Sequence, residues 1–196
     1  MSATEPIRKK KDLKKLIEYF EEKGQIRNYV MVVVGFATGL RITDELNLTW
    51  GDVYDFDNDR FRTHIDLTEQ KTKKTKQIKI NYFARKALQK LLELRKKQET
   101  AAAHNYIFSN GRENENHISR VHAWRLITNA VKALALPGHI ACHSLRKTLG
   151  YYAWKYEHVP EIVIMGLYNH CSYEVTKRYL GIIQDDYDAV YDAMVL

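Results

Sequence analysis

The chain has 196 residues and is 45% hydrophobic, enough to bury one sizeable core and hardly enough for two, so a single domain is expected. Lys and Arg outnumber Asp and Glu by 31 to 24, and the net charge of +7 favours a polyanionic partner without identifying it. Two cysteines, Cys142 and Cys171, are too few for a disulfide framework, and no apolar run nears the roughly 18 residues that span a bilayer, which points to a soluble protein of a reducing compartment.

In chain order, residues 1–12, through Arg8 and Lys9-Lys10-Lys11, read as a solvated basic arm, able to track a phosphate backbone or simply to fray. A helix follows with Leu13, Leu16, Ile17 and Phe20 on one face and a stop at Gly24. The nearly all-apolar run from Tyr29 to Phe36 predicts a buried helix ending near Gly39, with Arg41 directly after it at the edge of the most hydrophobic element. Thr43 and Asp44 suit another helix start, and Asp44 or Glu45 can fix the Arg41 fork by bidentate pairing. From Trp50 to Ile80 three alternating stretches, Val53 to Phe56, Arg60 to Leu67 and Gln77 to Ile80, predict a small three-stranded antiparallel sheet with turns at Asp57-Asn58-Asp59 and Lys71 to Thr75. Asn81 caps a helix carrying Phe83, Leu88, Leu91 and Leu92; a loop, a short extended piece at Tyr106 to Phe108 and an exposed turn at Asn110 to Asn116 come next.

Helical spacing returns from Ser119 to Leu136, with His122, Arg125 and Lys132 at polar positions, and Pro137-Gly138 ends it. His143 opens a helix through Arg146 to Trp154, and Pro160 starts a further apolar one through Met165. Asn169-His170 falls on a turn, Ser172 is a candidate N-cap, and Gly181 can end the short helix that carries Tyr179 two turns from that cap. The acidic segment 182–196 places Ile183, Tyr187, Val190, Tyr191 and Met194 at helical spacing, so an amphipathic tail helix is expected, docked on its own core or on another chain. Cys142-His143 and His170-Cys171 lack the spacing that lets both side chains of a pair reach one metal ion.

Tyr179 follows Lys177 and Arg178. A phenol has an unperturbed pKa of about 10 and becomes a nucleophile near neutral pH only when positive charge or a base helps remove its proton. A single tyrosine among 13 is more often a packing residue, so the inference rests on three stretches read together: Ala37-Thr38-Gly39-Leu40-Arg41, His143-Ser144-Leu145-Arg146, and His170 with Tyr179 nine residues on. In this order the chain resembles the tyrosine recombinases, also called the phage integrases, from about Tyr29 to Gly181.

The resemblance implies an α+β fold, mainly α-helical with a small sheet on one side, and site-specific DNA recombination: integration, excision or inversion by strand cleavage and rejoining through a 3′-phosphotyrosyl intermediate. Arg41 and Arg146 would grip the scissile phosphate through planar forks. His143 would reach the same phosphate or take the tyrosine proton, His170 would add a hydrogen bond, and Tyr179 would attack. A catalytic lysine is implied on the sheet's second turn, with Lys71 the best fit and Lys74 the runner-up. No cofactor is implied, neither metal nor ATP. The implied partners are double-stranded DNA, a homotetramer on two DNA sites formed from a monomer or weak oligomer, and an accessory directionality factor, in a cytoplasmic, nucleoid-associated setting. Longer relatives carry a separate DNA-clamping domain, for which the residues ahead of Tyr29 leave no room, so the chain reads as the catalytic domain alone, either excised from a longer protein or a naturally short member similar in length to the fimbrial-switch invertases. A non-catalytic DNA-binding or regulatory protein that keeps the fold is the alternative.

Overall fold

The computed structural model describes residues 4–68, 75–111 and 116–194. Helix α1 (Lys10–Glu22) lays Leu13, Leu16 and Phe20 against helix α2 (Ile26–Thr38), in which every residue from Tyr29 to Val34 is buried. A helix apolar on all sides must be surrounded, and α2 is the axis of the main core. It ends where the sequence predicts: Thr38 Oγ1 donates back to the Val34 carbonyl at 2.6 Å, and Gly39 adopts the left-handed cap conformation at φ 60°, its N–H donating to Gly35 O at 3.1 Å. Short helices α3 (Ile42–Leu46) and α4 (Trp50–Val53) carry the chain to the strands.

The sheet differs from expectation. Strands β1 (Tyr54–Asp55) and β2 (Arg60–Phe61) form one antiparallel pair, and β3 (His64–Thr68) and β4 (Thr75–Lys79) form another, so the described residues form two two-stranded sheets where one of three strands was predicted. The middle stretch changes partner within two residues: Arg62 N–H donates to Val53 O at 2.8 Å, while Thr63 O accepts from Ile80 N–H at 2.9 Å. Alternation in the sequence reports which face a residue takes, not which strand it pairs with.

Asn81 caps helix α5 (Tyr82–Lys97), its side chain accepting from Ala84 N–H at 2.9 Å, and Leu88, Leu91 and Leu92 close the core over α2. Ser119 likewise caps helix α6 (Arg120–Ala133). Helix α7 (Cys142–Lys155) crosses α2, and α8 (Glu161–Tyr168) with α9 (Tyr173–Leu180) forms a smaller cluster around Ile164, Tyr168 and Leu180. Helix α10 (Gln184–Asp192) occupies the predicted tail position but buries none of its residues; Tyr187, Val190, Tyr191 and Met194 are exposed there. Among the described residues no helix is long and apolar enough to cross a membrane.

The basic arm is also corrected. Lys9, Lys10 and Lys11 are exposed, but Pro6 and Ile7 just ahead of them are buried, and Ile7 N–H donates to Thr148 Oγ1 on α7 at 2.8 Å. The apolar pair finds apolar surface on the folded body, a long-range contact that the run of lysines conceals.

Candidate active site

Helix α7 supplies three of the site's groups because positions i, i+3 and i+4 of a helix share a face: His143, Arg146 and Lys147. Its first turn is fixed by Ser144, whose hydroxyl accepts from the Ala141 N–H at 3.1 Å. Arg146 is only 1% exposed. Its guanidinium donates from Nη1 to the Gly39 carbonyl, on the residue that caps α2, and from Nη2 to the Tyr168 carbonyl at 3.3 Å, on the last residue of α8. Helix C-termini present unfilled acceptors and partial negative charge, so two of them make a natural seat for a buried cation. The Tyr168 ring closes the seat, 4.3 Å from the guanidinium carbon, and the Tyr168 hydroxyl donates to the Arg146 carbonyl at 2.7 Å.

Arg41 sits at the N-cap position of α3, immediately after the Gly39 turn. Its Nη1 lies 4.0 Å from Asp44 Oδ2, an ion pair beyond hydrogen-bond length between those two atoms. Glu45, the other predicted partner, turns inward against Gly35; burial holds its carboxyl well above the usual range, and its Oε1 has no hydrogen-bond partner among the described residues.

Helix α9 brings in Tyr179. Its ring centroid lies 4.3 Å from that of His170, 5.0 Å from His143 and 5.5 Å from Tyr168, with Lys147 Nζ 5.5 Å and the Arg146 guanidinium carbon 6.0 Å away. His170 follows Asn169, which takes the left-handed conformation at the end of α8, and its Nδ1 is 3.0 Å from the buried Thr176 hydroxyl on the same helix as Tyr179. Both histidines are pushed down to about 4: burial is the main cause, and Arg146 and Arg41 repel the proton at each, with Lys147 adding to the effect at His143. Near neutral pH both rings are therefore uncharged, each able to accept one proton.

Five of the six predicted residues, Arg41, His143, Arg146, His170 and Tyr179, thus converge on one place. Lys71 and its runner-up Lys74 lie outside the described residues. Other tyrosines of this part of the chain do not share this setting: Tyr168 is buried, its phenol pushed up by burial and its hydroxyl committed to a carbonyl, while Tyr173 and Tyr187 are exposed. Sequence reasoning missed Lys147, Thr176 and the Tyr168 ring as supports. The i+4 step from His143 is the only signal for Lys147, and nothing local marks the other two. Beside the cluster a groove of about 670 Å3, lined by Ile42, Arg120, Val121, Trp124, Cys142 and His143, runs along the exposed face of α6. The Cys142 thiol is pushed up to about 12 by burial and is unreactive as it stands.

A family model described as the Phage integrase family matches residues 8–184. The "Probable integrase/recombinase YoeC" of Bacillus subtilis (strain 168) is 32% identical over 192 residues, covering 97% of each chain. Among solved structures, XerA recombinase superposes with a TM-score of 0.74 at 22% identity over 98% of this chain and 64% of its own length. XerH site-specific recombinase, bound to a palindromic difH substrate, gives 0.75 at 15% identity over 98% of this chain and 54% of its own. The chain therefore spans less than two thirds of either solved chain, and at these identities the likeness establishes the tyrosine recombinase catalytic fold. Matched along nearly its whole length by the family model and by a relative of its own size, the chain belongs to the phage integrase family.

Proposed function

We propose that the chain is a metal- and ATP-independent site-specific DNA recombinase, acting as one catalytic domain, with Tyr179 as its nucleophile. The observation that carries this reading is the packing of the Tyr179 ring against two uncharged imidazoles beside two arginines. Arg41 and Arg146 neutralise the non-bridging oxygens of the scissile phosphate, which lowers the barrier where charge develops. The Tyr179 oxygen attacks phosphorus as its proton passes to His143, His170 donates a hydrogen bond to a phosphate oxygen, and the 5′ oxygen leaves with a proton from Lys71, or Lys74 in its place. The 3′-phosphotyrosyl ester conserves the bond energy, so a second 5′ hydroxyl reverses the step and reseals a strand without an external energy source.

The substrate in this reading is double-stranded DNA, supported by the positive charge and by solved relatives that hold difH DNA or a transposon's circular-intermediate DNA. Exchange between two sites uses a homotetramer assembled from monomers, with an accessory factor setting direction, on cytoplasmic nucleoid DNA. The acidic α10, with its uncovered apolar residues, is suited to contact a neighbouring protomer in that assembly.

The test is a DNA site carrying a nick just beyond the scissile phosphate, which traps the covalent adduct. Wild-type protein gives a slow-migrating band on a denaturing gel; Tyr179→Phe binds the same DNA in a gel shift and gives no band. A surviving adduct overturns the nucleophile. Lys71→Ala should be rescued by a 5′-bridging phosphorothioate, whose sulfur leaves without an acid; rescue of Lys74→Ala instead moves the role to Lys74.

A further inference from the structure

Two contacts from the start of the chain flank the nucleophile. On one side Thr4 O accepts a hydrogen bond from Lys147 Nζ at 2.6 Å, and that ammonium lies over the Tyr179 ring. On the other, the Arg8 guanidinium donates from Nη2 to the carbonyl of Gly181, the residue that caps α9 two positions beyond Tyr179. Between them Pro6 fills the space beside Gly181, where an added Cβ would lie 3.0 Å from the ring, and Ile7 is pinned to Thr148. Arg8 is itself held: its carbonyl accepts from the Tyr156 hydroxyl at 2.9 Å, and its guanidinium lies 5.2 Å from the Tyr151 ring. Helix α9 has eight residues and buries only Thr176 and Leu180. So short a helix does not hold its own place in water. His170 ties its first turn through Thr176, and Arg8 ties its last.

We propose that Thr4–Arg8 is a positioning strap for the nucleophile, with Arg8 and Lys147 as positioning residues that set the height and tilt of Tyr179 over the phosphate. The inference rests on Tyr179 being the nucleophile. Arg8 supplies a cation at the negative end of α9 and fills a carbonyl that the helix leaves without a partner. Reacting atoms displaced by about 1 Å cost about a hundredfold in rate, so a small rocking of α9 is enough to matter.

The experiment compares Arg8→Met, which keeps the stem and removes the donor, with Arg8→Lys, which keeps a donor. Adduct formation is measured on the nicked substrate at saturating protein and well below each variant's melting transition, alongside DNA affinity. Arg8→Met should form the adduct at least about tenfold more slowly, within the scale of such misplacement, with DNA affinity close to wild type; Arg8→Lys should recover most of the rate. The core variant Leu92→Val, outside the strap, should lose stability without losing rate. A wild-type rate in Arg8→Met overturns the strap, as does a slow Arg8→Lys or a rate loss in Leu92→Val that tracks its melting temperature. Loss of the adduct in Tyr179→Phe combined with a wild-type rate in Arg8→Met sinks the strap alone; an adduct that survives Tyr179→Phe sinks the reading beneath it.

Discussion

Arg41 and Arg146 hang from the closely packed body around α2, whereas Tyr179 and His170 hang from α8 and α9, whose own buried cluster is Ile164, Tyr168 and Leu180. In the proposed reading the phosphate clamp is thus built on the larger buried cluster, and the nucleophile on the smaller one beside it. Local opening is governed by how much apolar surface an element buries, so the clamp is fixed while the nucleophile can be admitted or withheld at small cost. If cutting is tied to assembly, as the proposed reading has it, that division places control on the tyrosine's side.

The largest effect is expected at the two arginines. Arg41→Lys and Arg146→Lys keep the charge and lose the planar fork, and adduct formation should fall by about two to three orders of magnitude, as when a transition-state donor is removed. Arg146→Lys should also lower stability by about 1–3 kcal/mol, because one ammonium cannot fill both the Gly39 and Tyr168 carbonyls. Near-wild-type adduct formation in either variant refutes the clamp.

Truncations in the two clusters come next in size. Met31→Ala, in the heart of α2, should cost about 2–5 kcal/mol of global stability, visible as a lower melting temperature. Leu180→Ala should instead speed hydrogen exchange in α8 and α9 and slow adduct formation while α2 stays protected. Equal loss of protection in both regions would show one cooperative unit.

The histidines give a smaller, pH-dependent effect. His143 and His170 sit at about 4 in the folded protein, against about 6.5 for a free imidazole, so between those values the unfolded chain binds protons that the folded one does not. Stability from this source is full above about pH 6.5 and is lost as pH falls towards 4. The melting temperature of the DNA-free protein should drop from pH 7 to pH 5, and His143→Gln should flatten that drop. DNA should flatten it too, since a bound phosphate offsets the arginines; an unchanged slope in both cases would refute this electrostatic account.

The smallest change is at Glu45, whose carboxyl is held well above its ordinary range by burial. Its contribution is present at low pH and lost as pH rises, so Glu45→Gln should raise stability at pH 8 by no more than about 1 kcal/mol, the scale of one hydrogen bond. A fall of several degrees in melting temperature would mean that the charged form is used.

What was legible in the sequence follows the range of the interaction. The apolar run of α2 and the left-handed glycines at 39 and 181 are local, and the structure has them where the sequence predicts. The resemblance gathered Arg41, His143, Arg146, His170 and Tyr179, which the fold brings together. The partner change at Arg62 and Thr63, the burial of Pro6 and Ile7, and the use of Asp44 but not Glu45 beside Arg41 each depend on which distant surfaces meet. So do the supports: Thr176 looks like an ordinary helix residue until His170 is placed against it.

Gly39 joins the two guanidinium groups more closely than their separation in the chain suggests. Its carbonyl holds Arg146, its left-handed turn aims the chain at Arg41, and a Cβ there would lie 2.7 Å from the Leu149 side chain. The gap between the two guanidinium groups is therefore gauged by the dihedral angles of one residue without a side chain. A larger residue at 39 would disturb the placement of both groups at once, so changing either arginine alone would not restore their spacing.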